Sequence, residues 1–259
     1  MKRIAVLISK STNNEIIIQA AIQMAQILQL EITLYHFVTA PQNWESLGRT
    51  VRDSHPQAKR DMNEARLVMD HLLMEIRAEK VAARKAYLLY DQEERSTENT
   101  HNVDTLVITD RKMFEVDNTD ILDFLCEFTP VKLIVGNEFK VKNIEDVVLS
   151  SDFHTLLPQC VSLVNNLIDT IDFNLNLVFI DTNETRENSK ISIENMKRVI
   201  TQNGFRKTSI SIFNSDCRLK GVEDFANLRG GDLIITEEQC KVNLKSLNEM
   251  HLPIIIINK

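Results

Sequence analysis

Glycine is scarce in this 259-residue chain: there are only six, with five prolines, four cysteines and one tryptophan. Few turns can therefore bring bare backbone amides against a ligand without a Cβ in the way. Cys126, Cys160, Cys217 and Cys240 lie far apart and none forms a Cys-x-x-Cys pair, which argues against a zinc ribbon, a redox dithiol and a disulfide scaffold. Free thiols in a reducing compartment are expected. A basic excess is also missing: 30 Lys and Arg against 37 Asp and Glu give a net charge of −7. Such a chain has no global cationic field to draw it to nucleic acid or anionic lipid. No apolar run approaches the roughly 20 residues that cross a bilayer. Ile4 to Ile8 follows Met1-Lys2-Arg3 but is broken by Ser9-Lys10-Ser11 with no small-residue cleavage site, so it reads as a strand and not a signal peptide. The expectation is a cytoplasmic protein with no nucleic acid or membrane partner.

What the chain does contain is a repeat. Arg3 to Ile8 matches the run around Val147 to Leu149 at a shift of 143 positions, and Ile32–Val38 falls without a gap on Leu175–Asp181. The intervening segments, about Asn14 to Leu28 and His154 to Ile171, carry apolar residues at helical spacing. Later landmarks pair at a smaller shift: Asp104–Thr109 with Asp232–Thr236, and Pro130–Val135 with Pro253–Asn258. Helices are expected around Gln57 to Glu79 and Arg186 to Asn203, the second stopped by Gly204.

Each half thus reads as five short apolar strands alternating with four helices. The fold class predicted is α/β: two tandem, doubly wound, parallel five-stranded sheets with helices on both faces, one in residues 1–138 and one in 143–259. The boundary falls in Asn137 to Asn143, read as a charged link. In open sheets of this kind ligands bind beyond the carboxyl ends of the strands where strand order reverses, so the ends of the first and fourth strands are where function is sought.

Arg3-Ile-Ala-Val-Leu-Ile-Ser-Lys-Ser11 followed by a helix and Leu34-Tyr-His-Phe-Val38 resembles the opening of a universal stress protein domain. Val147-Val-Leu-Ser-Ser-Asp-Phe153, Asp232-Leu-Ile-Ile235 and Pro253-Ile-Ile-Ile-Ile257 resemble that family's strands in the second half. The resemblance implies a Rossmann-like tandem protein of the adenine nucleotide alpha hydrolase type. ATP-binding relatives carry Gly-x2-Gly-x9-Gly-Ser/Thr after the fourth strand. Here no glycine lies between Asp110 and Pro130, and none follows Gly231. The second half instead offers Glu237-Glu-Gln-Cys240, whose two carboxyl groups would repel a triphosphate. No cofactor is expected, and ATP is disfavoured.

By family position, the residues that would line a ligand site are Ser9, Phe37, Asp110 and Arg111 in the first half and Ser150, Asp152, Ile180 and Thr236 in the second. Asp152 has a structural alternative as N-cap of the following helix. Arg111-Lys112 leaves room for an anion smaller than ATP. The segment Thr39 to Pro56, with Arg49, Arg52, His55, Lys59 and Arg60, reads either as a cationic lid or as exposed charge on a loop and helix face. Asp152, His154 and Cys160 suggest an acid, base and nucleophile, but Cys160 falls in the apolar register of a helix. His36 reads as a satisfied strand-end histidine, and no histidine pair has metal-ligand spacing.

The last strand of each half is too apolar to remain an open edge. In relatives these strands meet across a twofold axis, so the halves are expected to pack as an internal pseudo-dimer through Val131, Leu133, Ile255 and Ile257. A further homodimer stays open. The expected function is non-catalytic stress adaptation through a protein partner or a modest ligand. A divergent module for AMP, ADP, ATP or a cyclic nucleotide, with at most slow ATPase activity, is the alternative.

Overall fold

A computed structural model describes residues 1–8, 14–41, 43–90, 105–111, 131–135, 139–182, 189–238 and 250–258. The first half contributes β1 (Arg3–Ile8), α1 (Asn14–Leu28), β2 (Glu31–Thr39), α2 (Arg49–Asp53), α3 (Pro56–Ala78), β3 (Ala83–Tyr90), β4 (Thr105–Asp110) and β5 (Val131–Val135). The second contributes β6 (Asp146–Ser150), α4 (Pro158–Thr170), β7 (Asn174–Asp181), α5 (Ser189–Asn203), β8 (Thr208–Asn214), α6 (Arg218–Arg229), β9 (Leu233–Glu238) and β10 (Ile254–Asn258). The helices expected after β4 and β9, and the first half's helix after β3, fall outside the described residues.

All ten strands join one sheet in the order β3-β2-β1-β4-β5-β10-β9-β6-β7-β8. Pairing is parallel within each half and antiparallel only at the central seam, where Leu133 pairs with Ile255 and Val131 with Ile257. These four residues are wholly buried. The sheet is therefore a pseudo-twofold dimer of two doubly wound halves, each reversing its strand order between its first and fourth strands.

Central strands are continuously apolar because both faces are covered. Alternate residues supply two cores. Ile4, Val6, Leu106, Val147, Leu149 and Leu233 share one with α1, α3, α4 and α5. Ala5, Leu7, Val107, Val148 and Ile234 face the other, against Val222, Phe225 and Ala226 of α6. The first core runs unbroken through both halves. α1 lies at its centre against α4, and buries residues nearly all round its girth, from Ile17 to Ala25.

Two sequence expectations change here. The link between halves is no charged tether: Phe139, Val141 and Ile144 are buried, and the Val141 N–H donates to Gln23 Oε1 of α1 at 2.7 Å. The first helix of the second half begins at Pro158, later than His154, and its N-cap is Leu157, not Asp152. The physical reason is the Leu157-Pro158 pair: a residue before proline is held extended, and proline suits a first helical position. At the other helix ends the expectation stands, since α5 stops at Gly204 with φ +67°. α6 stops likewise at left-handed Gly230, where the Gly231 N–H donates to Ala226 O at 2.8 Å.

Candidate functional site

The strand ends of the first half carry a mixed set of groups. Ser9 lies outside the described residues. Phe37 is half-buried beside His36, whose Nδ1 is 2.9 Å from Phe37 O. A carbonyl oxygen only accepts, so this contact assigns the ring hydrogen to Nδ1 and makes His36 a satisfied strand-end residue. Asp110 is buried at the end of β4. Arg111, next along, turns toward the second half: its Nη2 donates to Leu252 O at 2.6 Å, while its Nε is buried with no partner. Burial pushes the guanidinium pKa down, against the opposite pull of Glu223 and Asp110. Arg111 is thus a latch between the halves, flanked by acids. That is a poor setting for an anion.

In the second half the equivalent strand end is occupied by a side chain of the chain itself. Ile4 pairs with Leu106 and Val147 with Leu233, which makes Asp110 and Glu237 equivalent, and likewise Thr109 and Thr236, and Arg111 and Glu238. Glu237 is wholly buried. Its Oε2 accepts the Ser151 hydroxyl at 2.7 Å, and its Oε1 accepts the Leu157 N–H at the start of α4, also at 2.7 Å. A carboxyl group at a helix N-terminus sits where such folds commonly receive an anion.

The loop that closes on it is tightly defined. Ser151 Oγ also accepts the Phe153 N–H at 3.3 Å, and Asp152 Oδ1 accepts the His154 N–H at 3.1 Å. Between them Phe153, fully buried, adopts φ +56°, a region that costs a bulky residue about 1 kcal/mol or more. From α5, Asn195 Nδ2 meets His154 Nδ1 at 3.3 Å and Arg198 Nη2 donates to His154 O at 2.9 Å. Asp152 therefore holds its own turn. His154 faces α5, and Cys160 is buried in the core face of α4.

On the opposite face of β6 and β9, Ser150 pairs in register with Thr236. The Ser150 hydroxyl is buried with no partner. Thr236 Oγ1 donates to Glu238 Oε1 at 2.9 Å, and Arg218 Nε pairs with the same oxygen at 3.2 Å. Ile180 is covered by α6: a Cβ built at Gly221 would lie 2.8 Å from Ile180 Cγ2. No flat base can enter between them without moving the helix.

The segment after β2 is packed structure. Trp44 is buried with Val38, Ala40, Ala58 and Ala65, and meets the His55 ring edge-on at 6.5 Å between centroids. Arg52 Nε donates to Leu47 O at 2.8 Å and Lys59 pairs with Asp53 at 2.5 Å, so neither cation is held out as a lid would require. Among the described residues no group of three or more His, Cys, Asp or Glu could hold a metal ion, and no helix is long and apolar enough to cross a membrane.

Sequence reasoning missed Ser151, Leu157, Asn195 and Arg218. One signal was available: α5 turns Ser192 and Asn195 into the core beside Met196 and Val199, whereas the buried face of α3 is apolar throughout, with Ala65, Met69, Leu72, Leu73 and Ile76. Polar residues in the buried register of an amphipathic helix mark a place where another segment must be hydrogen-bonded.

No family model matches the chain, and no curated protein matches it. Solved structures do. A universal stress protein from Archaeoglobus fulgidus is similar at 10% identity and TM-score 0.69, with 98% of this chain and 96% of that chain covered. A candidate universal stress protein from Pseudomonas aeruginosa is similar at 11% identity and TM-score 0.58, covering 100% and 93%. The cytoplasmic domain of a prokaryotic cation chloride cotransporter is similar at 7% identity and TM-score 0.53, covering 99% and 95%. At such identities the likeness establishes the fold: the whole chain has the tandem architecture of universal stress proteins.

Proposed function

We propose, with the universal stress protein fold as the premise, that this chain is a tandem member of that family acting without catalysis in stress adaptation, through protein contacts or a small ligand. ATP is not held in the manner of ATP-binding relatives. The observation that carries this reading is Glu237, whose buried carboxyl group already engages Ser151 and the N–H of Leu157, the N-cap of α4, at the second half's strand-order reversal. Three further features support it. Arg111 is drawn into the seam between halves, Ile180 is packed under α6, and the turns beyond β4 and β9 carry no glycine. A fold alone does not fix a function, and a neighbour of this fold is a cotransporter's cytoplasmic domain.

A thermal-shift and calorimetric screen with ATP, ADP, AMP and cyclic dinucleotides tests the reading. A ligand at 100 times its dissociation constant adds roughly 2.7 kcal/mol to stability. No response to ATP is expected. Saturable ATP binding with ordered phosphates would overturn the reading in favour of a divergent nucleotide module, whose ATPase activity the same preparation would reveal.

A further inference from the structure

We infer that the second half contains a carboxylate-binding site occupied in cis: Ser151 and the N–H of Leu157, the N-cap of α4, form the receptor, and Glu237 is its tethered ligand. The inference rests on the reading above and names what fills that crevice. Glu237 is no accidental neighbour, since it lies in the last residues of β9 while Ser151 and Leu157, which both donate to it, lie in the loop after β6. Both donors point at its oxygens at 2.7 Å, one to each, which is the geometry of a recognised carboxylate and not of a side chain filling space. The receptor is also built to keep its shape. Phe153 is held in a left-handed conformation by the Ser151 and Asp152 turns, and α5 pins the loop through Asn195 and Arg198.

Its consequence is autoinhibition. A tethered ligand acts at high effective concentration, so a free anion must displace Glu237 before it can reach Ser151 and the Leu157 N–H. The first half places Asp110 at the equivalent strand position, one methylene shorter.

The test is chemical rescue of the full-length chain. Glu237→Ala leaves both donors unpaired around a carboxylate-sized space, and its melting temperature should fall by several degrees. Sodium formate or acetate should then restore most of that fall, saturably, with no such effect on the wild type. Should Glu237→Ala fail to fold in plain buffer, folding only in formate reads the same way. Glu237→Gln fills the space, so it should be destabilised without being rescued. Chloride at equal ionic strength and inorganic phosphate complete the set. Absence of rescue, equal rescue of the wild type or of Glu237→Gln, or a larger effect from chloride or phosphate would each overturn the inference. ATP binding by the wild type would instead defeat the reading it rests on, while leaving formate rescue intact.

Discussion

Replacing Gly221 by alanine tests whether α6 seals the second half as tightly as its packing indicates. An added Cβ would stand 2.6 Å from Ser215 Cβ and 2.8 Å from Ile180 Cγ2, distances real Cβ atoms essentially never show. Ser215 Cβ cannot swing away, because it is fixed to its own backbone. Overpacking costs about 1 to 3 kcal/mol, and two contacts this far below 3.0 Å, one to an atom that cannot move, place it in the upper part of that range, about 2 to 3 kcal/mol. The substitution also brings a gain, since alanine is better than glycine in a helix interior by roughly 1 kcal/mol. The clash should win by about 1 to 2 kcal/mol. For a chain of this size that lowers the melting temperature by roughly 2 to 8 °C, at about 2 to 4 °C per kcal/mol. Differential scanning calorimetry reads the shift, and Gly48→Ala, where nothing lies within 4 Å, controls for a generic glycine effect. A Gly221→Ala protein as stable as wild type, or more so, would refute the packing argument and reopen the space beside Ile180.

Four other outcomes are expected. Ser150→Ala removes a buried hydroxyl with no partner and should raise stability by about 1 kcal/mol in urea unfolding, whereas a loss would mean the hydroxyl is bonded. Arg111→Met breaks the bond to Leu252 O and leaves Glu223 without its nearby guanidinium. It should lower the urea midpoint without changing the slope. The Lys85 hydrogen bond holds the Asp70 carboxyl below its ordinary range, with the charges of Lys85, Arg66 and Arg77 adding to it. A depressed carboxylate stabilises the fold above its unfolded pKa and loses that contribution as pH falls through its folded value, so Asp70→Asn should flatten the acid limb of the stability profile. Because one core runs through both halves, calorimetry should show a single unfolding transition, and two separated transitions would contradict a shared core.

The strands were legible in the sequence because a sheet covered on both faces demands unbroken apolar runs, as at Ile4–Ile8 and Ile254–Ile257. The repeat was legible for the same reason, and so was the seam: two such strands cannot both remain edges. The start of α4 was equally open to reading in Leu157-Pro158, but Asp152 offered a more familiar cap and hid it. Glu237 was a different matter. In the sequence it is one of two adjacent acids, and only register and loop path bring Ser151 and Leu157, some 80 residues away, onto its two oxygens. Trp44 and the cations around it depended similarly on tertiary packing, because exposure is not written in residue type. The linker misled in the opposite direction: its charges are visible, but the burial of Phe139, Val141 and Ile144 follows from where α1 lies.

The antiparallel seam between β5 and β10 joins two units that share one polypeptide. In a twofold assembly of identical subunits every substitution appears in both sites at once, so neither can change alone. Covalent fusion lifts that constraint. Arg111 and Glu238, of opposite charge, now stand at matching places, one tied across the joint and the other to Arg218. The halves share a fold while each carries its own side chain, with its own partner, at that place.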